Sequence, residues 1–371
     1  MYDVLIIGGG LAGLTNALLL ARANLSVCLV EKKKYPFHRV CGEYISNEVM
    51  PFLKSIEAYP GEMELPKIDK FVLSDSHGRF VNLSLPLGGF GVSRYYFDNY
   101  LFQKAAVAGA EFQQGKQIAN VTYNGDLFES ELSGGSTVLS KIVIGAQGKR
   151  SKIDKTLNRT FISKRSPYIG VKYHVKTDFP QGTVGLFNFK NGYFGINSIE
   201  DEKFNICYLS HRKNLKTSLD IKAMERDILS KNPHIRKILT ESEFLMEKPL
   251  VINEISFSKK TAVENHILMS GDAAGMITPL CGNGMAMAIH SAKILSELII
   301  KHLKKASFNR AALEREYQIS WDAIFKNRLQ FGRITQQFFG HSAASTCTVA
   351  LAKNSGRIAK LIIRQTHGKP F

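Results

Sequence analysis

Residues 2–31 read YDVLIIGGGLAGLTNALLLARANLSVCLVE. YDVLII is an apolar strand, LAGLTNALLLARAN carries apolar residues at helical spacing, and SVCLVE is a second apolar strand. Strand, helix and strand within about 30 residues predict a parallel pair joined by a right-handed crossover. Between the first strand and the helix, Gly8, Gly10 and Gly13 stand in GxGxxG spacing. Gly8 permits the tight turn, Gly10 lets the backbone approach a pyrophosphate, and Gly13 lets the helix pack close to the strand. The helix N-terminus offers unpaired N–H groups and a partial positive charge to phosphates. Glu31 ends the second strand, 18 residues after Gly13. A carboxylate there accepts from both ribose hydroxyls of an adenosine and repels a 2′-phosphate, which disfavours NADP at this site.

The rest of the composition frames this opening. A chain of 371 residues, 44% hydrophobic and 22% charged, has room for two or three packed units of an ordinary folded protein. No apolar run approaches the ~18 to 20 residues of a membrane span. Asp3 and the immediate strand pattern do not read as a secretory signal. Five scattered cysteines, with no CxxC pair and no metal-ligand spacing, fit a reducing, cytoplasmic setting and no metal. The net charge is +17, and residues 293–371 hold 14 Lys or Arg against 4 Asp or Glu. Such a surplus attracts anions, an acidic membrane surface among them, or is simply a basic solvated surface. Nothing in the chain has the spacing of a zinc finger or an RRM, so nucleic acid is not expected.

Along the chain, residues 46–58 read as a helix capped by Ser46. KFVLSDSHGRFVNLSL (residues 70–85) reads as a hairpin around Ser76-His77-Gly78, and a helix runs from Ser93 to about Gly109. Three short strands follow up to Gly145. From about 160 to 253 strand-like segments dominate, with helical residues at 217–231, and this predicts a separate antiparallel sheet. NHILMSGDAAG then returns to a buried strand and a second glycine turn, residues 280–304 form a long helix, and the remainder is mostly helical.

The second turn, GDAAGMITPLCGNG (residues 271–284), completes the pattern. Together with the opening it resembles flavoprotein oxidoreductases of the p-hydroxybenzoate hydroxylase fold, in the branch of geranylgeranyl reductase-related proteins. The resemblance implies FAD. It implies that Gly271-Asp272 closes over the middle of the cofactor, with Asp272 on the ribitol chain. Pro279, Gly282 and Gly284 would turn backbone amides toward the flavin ring. A helix N-terminus there would stabilise the anionic charge of reduced flavin. HRVCGEYIS (residues 38–46) resembles the family's Arg-x-Cys-Gly segment, which places Arg39 near FAD phosphate or ribityl groups and Cys41-Gly42-Glu43 near the flavin ring or substrate. VIGAQGKRS (residues 143–151) resembles the Gly-Ala-Asp-Gly-x-x-Ser turn, keeping Gly145, Gly148 and Ser151 but with Gln147 for the Asp. That replacement argues against direct reduction by NADPH. In GYFGINSIE (residues 192–200), Tyr193 matches the family's substrate segment while its Trp and Pro are missing. Gly275 stands where many aromatic hydroxylases carry His.

Four side chains are candidates for chemistry. Cys41 is either a thiol near the flavin that shapes the pocket or assists proton delivery, or a small apolar filler. Glu43 is a proton donor if desolvated, or else a solvated surface acid. His174 alternates with Tyr173 along GVKYHV, so one faces the flavin cavity and the other faces away. Tyr193 is the fourth.

The fold expected is α/β. A Rossmann-like FAD-binding domain (1–160 and 254–305) is interrupted by an antiparallel β-sheet substrate domain (161–253) and followed by C-terminal helices (306–371). The C-terminal helices set apolar residues against Lys and Arg. They lie on an acidic membrane or cover the flavin domain. The function expected is hydride transfer between flavin and a hydrophobic, isoprenoid- or polyketide-like substrate. NAD(P)H or a reduced donor protein would supply the electrons. The alternatives are a monooxygenase acting on an aromatic or lipid substrate through a flavin hydroperoxide, and a flavin-binding sensor or scaffold without turnover.

Overall fold

The computed structural model describes residues 1–164, 166–278, 282–338, 342–354 and 368–371. Pro279 and Cys281 lie outside the described residues.

The opening stretch folds as β1 (Tyr2–Ile7), α1 (Leu11–Arg22) and β2 (Val27–Glu31), with the strands parallel and Val4 opposite Val27. Then come β3 (Tyr44–Ser46), α2 (Met50–Ser55), the hairpin β4 (Lys67–Ser74) and β5 (Phe80–Gly91), and α3 (Arg94–Val107). Ser93 caps α3 by accepting from the Tyr96 N–H, as the sequence predicts. β6 (Glu111–Gln114), β7 (Ile118–Tyr123), β8 (Phe128–Leu132), β9 (Thr137–Gly145) and α4 (Lys152–Thr156) complete the first stretch. The middle holds β10 (Tyr168–Lys176), β11 (Thr183–Phe189), β12 (Gly192–Ser198) and β13 (Phe204–His211). Three short helices follow, α5 (Arg212–Lys216), α6 (Ile221–Asp227) and α7 (Pro233–Glu241), then β14 (Glu243–Phe244) and β15 (Leu250–Asn253). The chain returns through β16 (Val263–Glu264) and β17 (Ile267–Met269) into α8 (Gly284–Leu303), α9 (Arg310–Phe338) and α10 (Ser342–Asn354).

Two sheets result. The first runs β16-β17-β9-β1-β2-β6, parallel except at β16, with β7 and β8 attached beside β9. Its strands β1 and β2 are buried almost throughout, as expected of a parallel sheet covered on both faces. The second runs β14-β10-β13-β12-β11-β4-β5-β3, with β15 also on β10. It is antiparallel apart from the β4–β11 pair. The sequence confined this sheet to residues 161–253, but β3, β4 and β5 come from residues 44–91. The β4–β11 pairing joins segments over a hundred residues apart and has no local signature, so strand patterns alone could not show it.

One face of the second sheet buries Val171, Tyr173, Phe194, Ile196 and Ile206 together with Met224 and Ile235 of α6 and α7. The alternate residues face the first domain. On α9, Leu313, Tyr317, Trp321, Phe325 and Leu329 recur every four residues and join the core of the first domain. That stripe of α9 covers the domain. Among the described residues, no helix is long and apolar enough to cross a membrane.

Candidate functional site

The glycines of the first turn serve different ends. Gly8 has φ +101°, and a Cβ on it would stand 2.6 Å from Ala146 O. A Cβ on Gly13 would overlap Gly8 O. Both are required by the fold. Gly10 has φ −87°, open to any residue, and a Cβ there would meet only Arg94 Nη2 at 3.5 Å. Its free side faces a cavity of about 920 Å³ that Gly8 and Gly10 both line. Glu31, buried at the end of β2, accepts from the N–H groups of Gly9 (2.9 Å) and Lys33 (3.1 Å) and from Arg39 (3.0 Å). Arg39 also donates to Gly9 O and to Asp98, both at 2.9 Å. Arg94, at the start of α3, meets the other oxygen of Asp98 at 2.6 Å. One carboxylate thus holds two guanidiniums beside the turn, and both line the cavity.

The second turn borders the same cavity. Gly271 has φ +63°, with the Cβ of Ala12 on α1 only 2.9 Å from where its own Cβ would be. Asp272 lines the cavity, and among the described residues nothing donates to its carboxylate. Burial pushes its pKa up, while Lys260, Arg94 and Lys149 pull the other way. Gly282 (φ +61°) and Gly284 also line the cavity, and α8 begins there without a side-chain cap. Gly148 (φ +81°), at the end of the first sheet, lines it too. Gln147, which replaces the expected Asp, donates to Asp154 at 3.1 Å. Asp154 pairs with Arg159 at 3.0 Å, and Arg159 donates to Ala273 O at 2.9 Å. The turn after β9 is thereby tied to the turn after β17. Lys149 lines the cavity, and burial pushes its pKa down to about 8 against the pull of Glu254 and Asp272. An open glycine, an unpaired carboxylate and an uncapped helix start lie along one cavity, so the residues fit a flavin dinucleotide.

Gly275 has a reason of its own. A Cβ there would lie 2.7 Å from Leu329 Cδ1 and 3.4 Å from Trp321. The buried stripe of α9 leaves no room for the His of the hydroxylases.

The second sheet supplies the opposite wall. Strand register aligns three rows across it. Gly170, Leu209 and Tyr193 form the first row, Lys172, Cys207, Gly195 and Leu186 the second, and His174, Asn205, Asn197 and Val184 the third. The wall is apolar around the first row; of the third row Asn197 and Val184 line the cavity, while His174 and Asn205 do not.

Between the walls runs the segment that carries Cys41 and Glu43. Cys41 is partly buried and lines the cavity. Burial pushes its thiol pKa up, with the Arg94 guanidinium beside it opposing. Glu43 is fully buried with φ +53°. It accepts from Lys172, from the Arg94 N–H at 2.7 Å, and bonds His174 Nε2 at 2.7 Å. Burial works to raise its pKa, but the Lys172 charge and the His174 bond outweigh it and hold the carboxyl below its ordinary range. Glu43 is therefore not a solvated surface acid: it is desolvated, and its partners favour the carboxylate over the protonated form. His174 faces Glu43, while Tyr173 points the other way and donates to Glu225 at 3.0 Å. Tyr193 and Glu43 line the cavity, and His174 stands behind Glu43. His38 lines the cavity, and burial and the Lys172 charge push its pKa down to about 4.

Arg94, Lys172, Lys149 and Asn205 were not read from the sequence. Lys172 did carry a signal, a lysine inside an apolar strand two residues before His174. Arg94 was marked only by the cap that precedes it.

Residues 1–315 match a family model described as FAD binding domain. A digeranylgeranylglycerophospholipid reductase of Methanosphaerula palustris is 26% identical over 339 residues, covering 86% of this chain and 81% of its own. A geranylgeranyl bacteriochlorophyll reductase-like protein from Thermoplasma acidophilum superposes with a TM-score of 0.79 at 17% identity, covering 98% of this chain and 96% of that one. A probable FAD-dependent monooxygenase from Pseudomonas aeruginosa gives 0.73 at 15% identity, covering 93% and 98%. These two superpositions are likenesses of fold.

Proposed function

Because the chain belongs to the FAD binding domain family, with FAD as its cofactor, we propose that it reduces a carbon–carbon double bond in a hydrophobic, isoprenoid-like substrate. The observation that carries this reading is the cavity wall away from the glycine turns, where Phe71, Leu73, Leu186, Leu209, Ile252 and Ile255 make an apolar lining. Such a lining suits a hydrocarbon chain and offers few polar groups to orient a small polar ring. The likeness to proteins named digeranylgeranylglycerophospholipid reductases supports it.

Gly10 would admit the pyrophosphate, Glu31 the adenosine ribose, Asp272 the ribitol hydroxyls, and the start of α8 the flavin ring. Bound FAD supplies hydride chemistry. Reduction of the double bond also needs a proton, and Cys41, which lines the cavity, would give it. Burial keeps its thiol protonated, and Arg94 stabilises the thiolate left behind. Water entering with product release restores the thiol. Tyr193 bounds the apolar end and positions the chain. Electrons reach the flavin from NAD(P)H or a reduced donor protein, and the net charge of +17 favours an acidic donor. The basic C-terminal region supports peripheral contact with an acidic membrane, from which a lipid substrate would be drawn.

The test is anaerobic. Photoreduced holoprotein is mixed with a polyprenyl glycerol lipid, and flavin reoxidation and product mass are followed. Reoxidation with gain of two hydrogens per double bond is expected. Cys41→Ser should keep FAD and slow reoxidation on the order of a hundredfold. Reoxidation only with oxygen, and oxygen in the product, would overturn the reading in favour of a monooxygenase. No reoxidation by any acceptor would leave a flavin-binding protein without turnover.

A further inference from the structure

Residues 36–43 have no helix or strand of their own, yet they carry Cys41 and Glu43 through the cavity wall. The carbonyls of such a segment have no ladder or helix of their own to pair them and take donors from elsewhere. Here the donors are side chains of the second sheet. Lys172 Nζ donates to Arg39 O at 3.1 Å. Asn205 Nδ2 donates to both Cys41 O (3.1 Å) and Gly42 O (2.9 Å). Asn197 Nδ2 reaches Glu43 O at 3.4 Å, where the Val92 N–H also donates at 3.1 Å. Lys172 further holds the Glu43 carboxylate, and Asn205 is opposite both His174 and Asn197 in the sheet register.

We infer that Asn205, with Lys172 and Asn197, is a positioning residue that fixes the Cys41 segment against the flavin site. Asn205 is buried and does not line the cavity, so it touches neither substrate nor cofactor. Its amide spans two consecutive carbonyls flanking the Cα of Gly42. That glycine has no neighbour within 4 Å of where a Cβ would be, so no side-chain packing locates it. The left-handed φ of Glu43 adds a backbone conformation that persists only while its surroundings enforce it. The same sheet face presents Tyr193 and Leu209 to the substrate end. The Cys41 thiol and the apolar wall are therefore referred to one frame, and the distance between proton donor and substrate is set by strands β10, β12 and β13.

The test uses holoprotein and measures two things, the rate at which iodoacetamide alkylates Cys41, read on its peptide by mass spectrometry, and steady-state turnover. In Asn205→Ala, alkylation of Cys41 should rise about tenfold or more, since two carbonyls lose their donor. Turnover should show kcat falling by a similar factor while KM and FAD content stay near wild type. Asn188→Ala serves as the control. Asn188 is a buried asparagine of the same sheet that holds Ser74 O at 2.7 Å, and its loss should leave both readouts near wild type. Unchanged alkylation and kcat in FAD-replete Asn205→Ala would overturn the inference, as would equal changes in the control. If Asn205→Ala does not fold, Asn205→Ser keeps a donor for one carbonyl and should show the same changes at smaller amplitude. The alkylation arm needs no substrate, so it decides the inference even if the proposed reaction fails.

Discussion

Gly10 and Gly13 are three residues apart, and the structure assigns them opposite duties. Consider Ala at each. At Gly10 the backbone is extended (φ −87°, ψ −175°), which Ala adopts freely, and the new Cβ meets only Arg94 Nη2 at 3.5 Å. Exchanging Gly for Ala at this N-cap costs under about 1 kcal/mol, or a Tm shift of a few degrees at most, about 2–4 °C per kcal/mol in large domains. The methyl group, however, projects into the space left for the pyrophosphate. A displacement of about 1 Å there breaks the hydrogen bonds from the start of α1, and a hundredfold weaker FAD affinity corresponds to about 2.7 kcal/mol. At Gly13 the Cβ would overlap Gly8 O, so α1 must lift off β1. Overpacking of side chains costs about 1–3 kcal/mol, and a clash with backbone costs more. The assay pairs the flavin absorbance of purified protein with thermal melts of the FAD-free forms. Gly10→Ala should melt like wild type and be nearly colourless, and Gly13→Ala should melt at least 6 °C lower, from about 3 kcal/mol and the same scaling. A yellow, fully loaded Gly10→Ala protein would refute the assignment of the cavity, and a Gly13→Ala protein as stable as wild type would refute the packing argument.

Asp272→Ala should fold and lose most FAD, because its carboxylate has no protein donor to leave behind among the described residues; retention of stoichiometric flavin on gel filtration would contradict it. Glu43→Gln strands the buried Lys172 ammonium and should cost about 3–5 kcal/mol in denaturant unfolding. The Glu43 pKa is depressed, so its contribution is complete above the ordinary value of 4.5 and is lost as pH falls through the lower folded value. Wild-type melts should therefore hold steady from neutrality to about pH 5 and fall below it, with a shallower acid limb in Glu43→Gln. Lys149, titrating at about 8 in the FAD-free protein, is drawn toward its charged form by an anionic ligand, so FAD binding takes up a proton. The Kd for FAD should rise as pH passes above 8, and Lys149→Gln should flatten that rise; equal slopes by fluorescence titration would exclude Lys149 from the site.

The sequence by itself determined the flavin half of this protein. Gly8, Gly10, Gly13 and Glu31 lie within one βαβ unit, and Gly271, Asp272, Gly282 and Gly284 within one strand-to-helix turn. Each set is contiguous in the chain, so its spacing is legible before any tertiary contact is known. Tertiary structure decided the other half. The second sheet includes β3, β4 and β5 because β4 pairs with β11, a contact that neither segment advertises. The fate of Glu43 depended on Lys172 and His174, 129 and 131 residues away, whose charge and hydrogen bond reversed the effect of burial. That His174 turned toward Glu43 and Tyr173 toward Glu225, with neither lining the cavity, followed from the parity of the strand register, which alternation allows either way. Gly275 read as a family trait in the sequence, and only the packing of α9 showed what fills its place. Phosphate-binding turns are built from neighbours in the chain, but pKa values and cavity walls are built from neighbours in space.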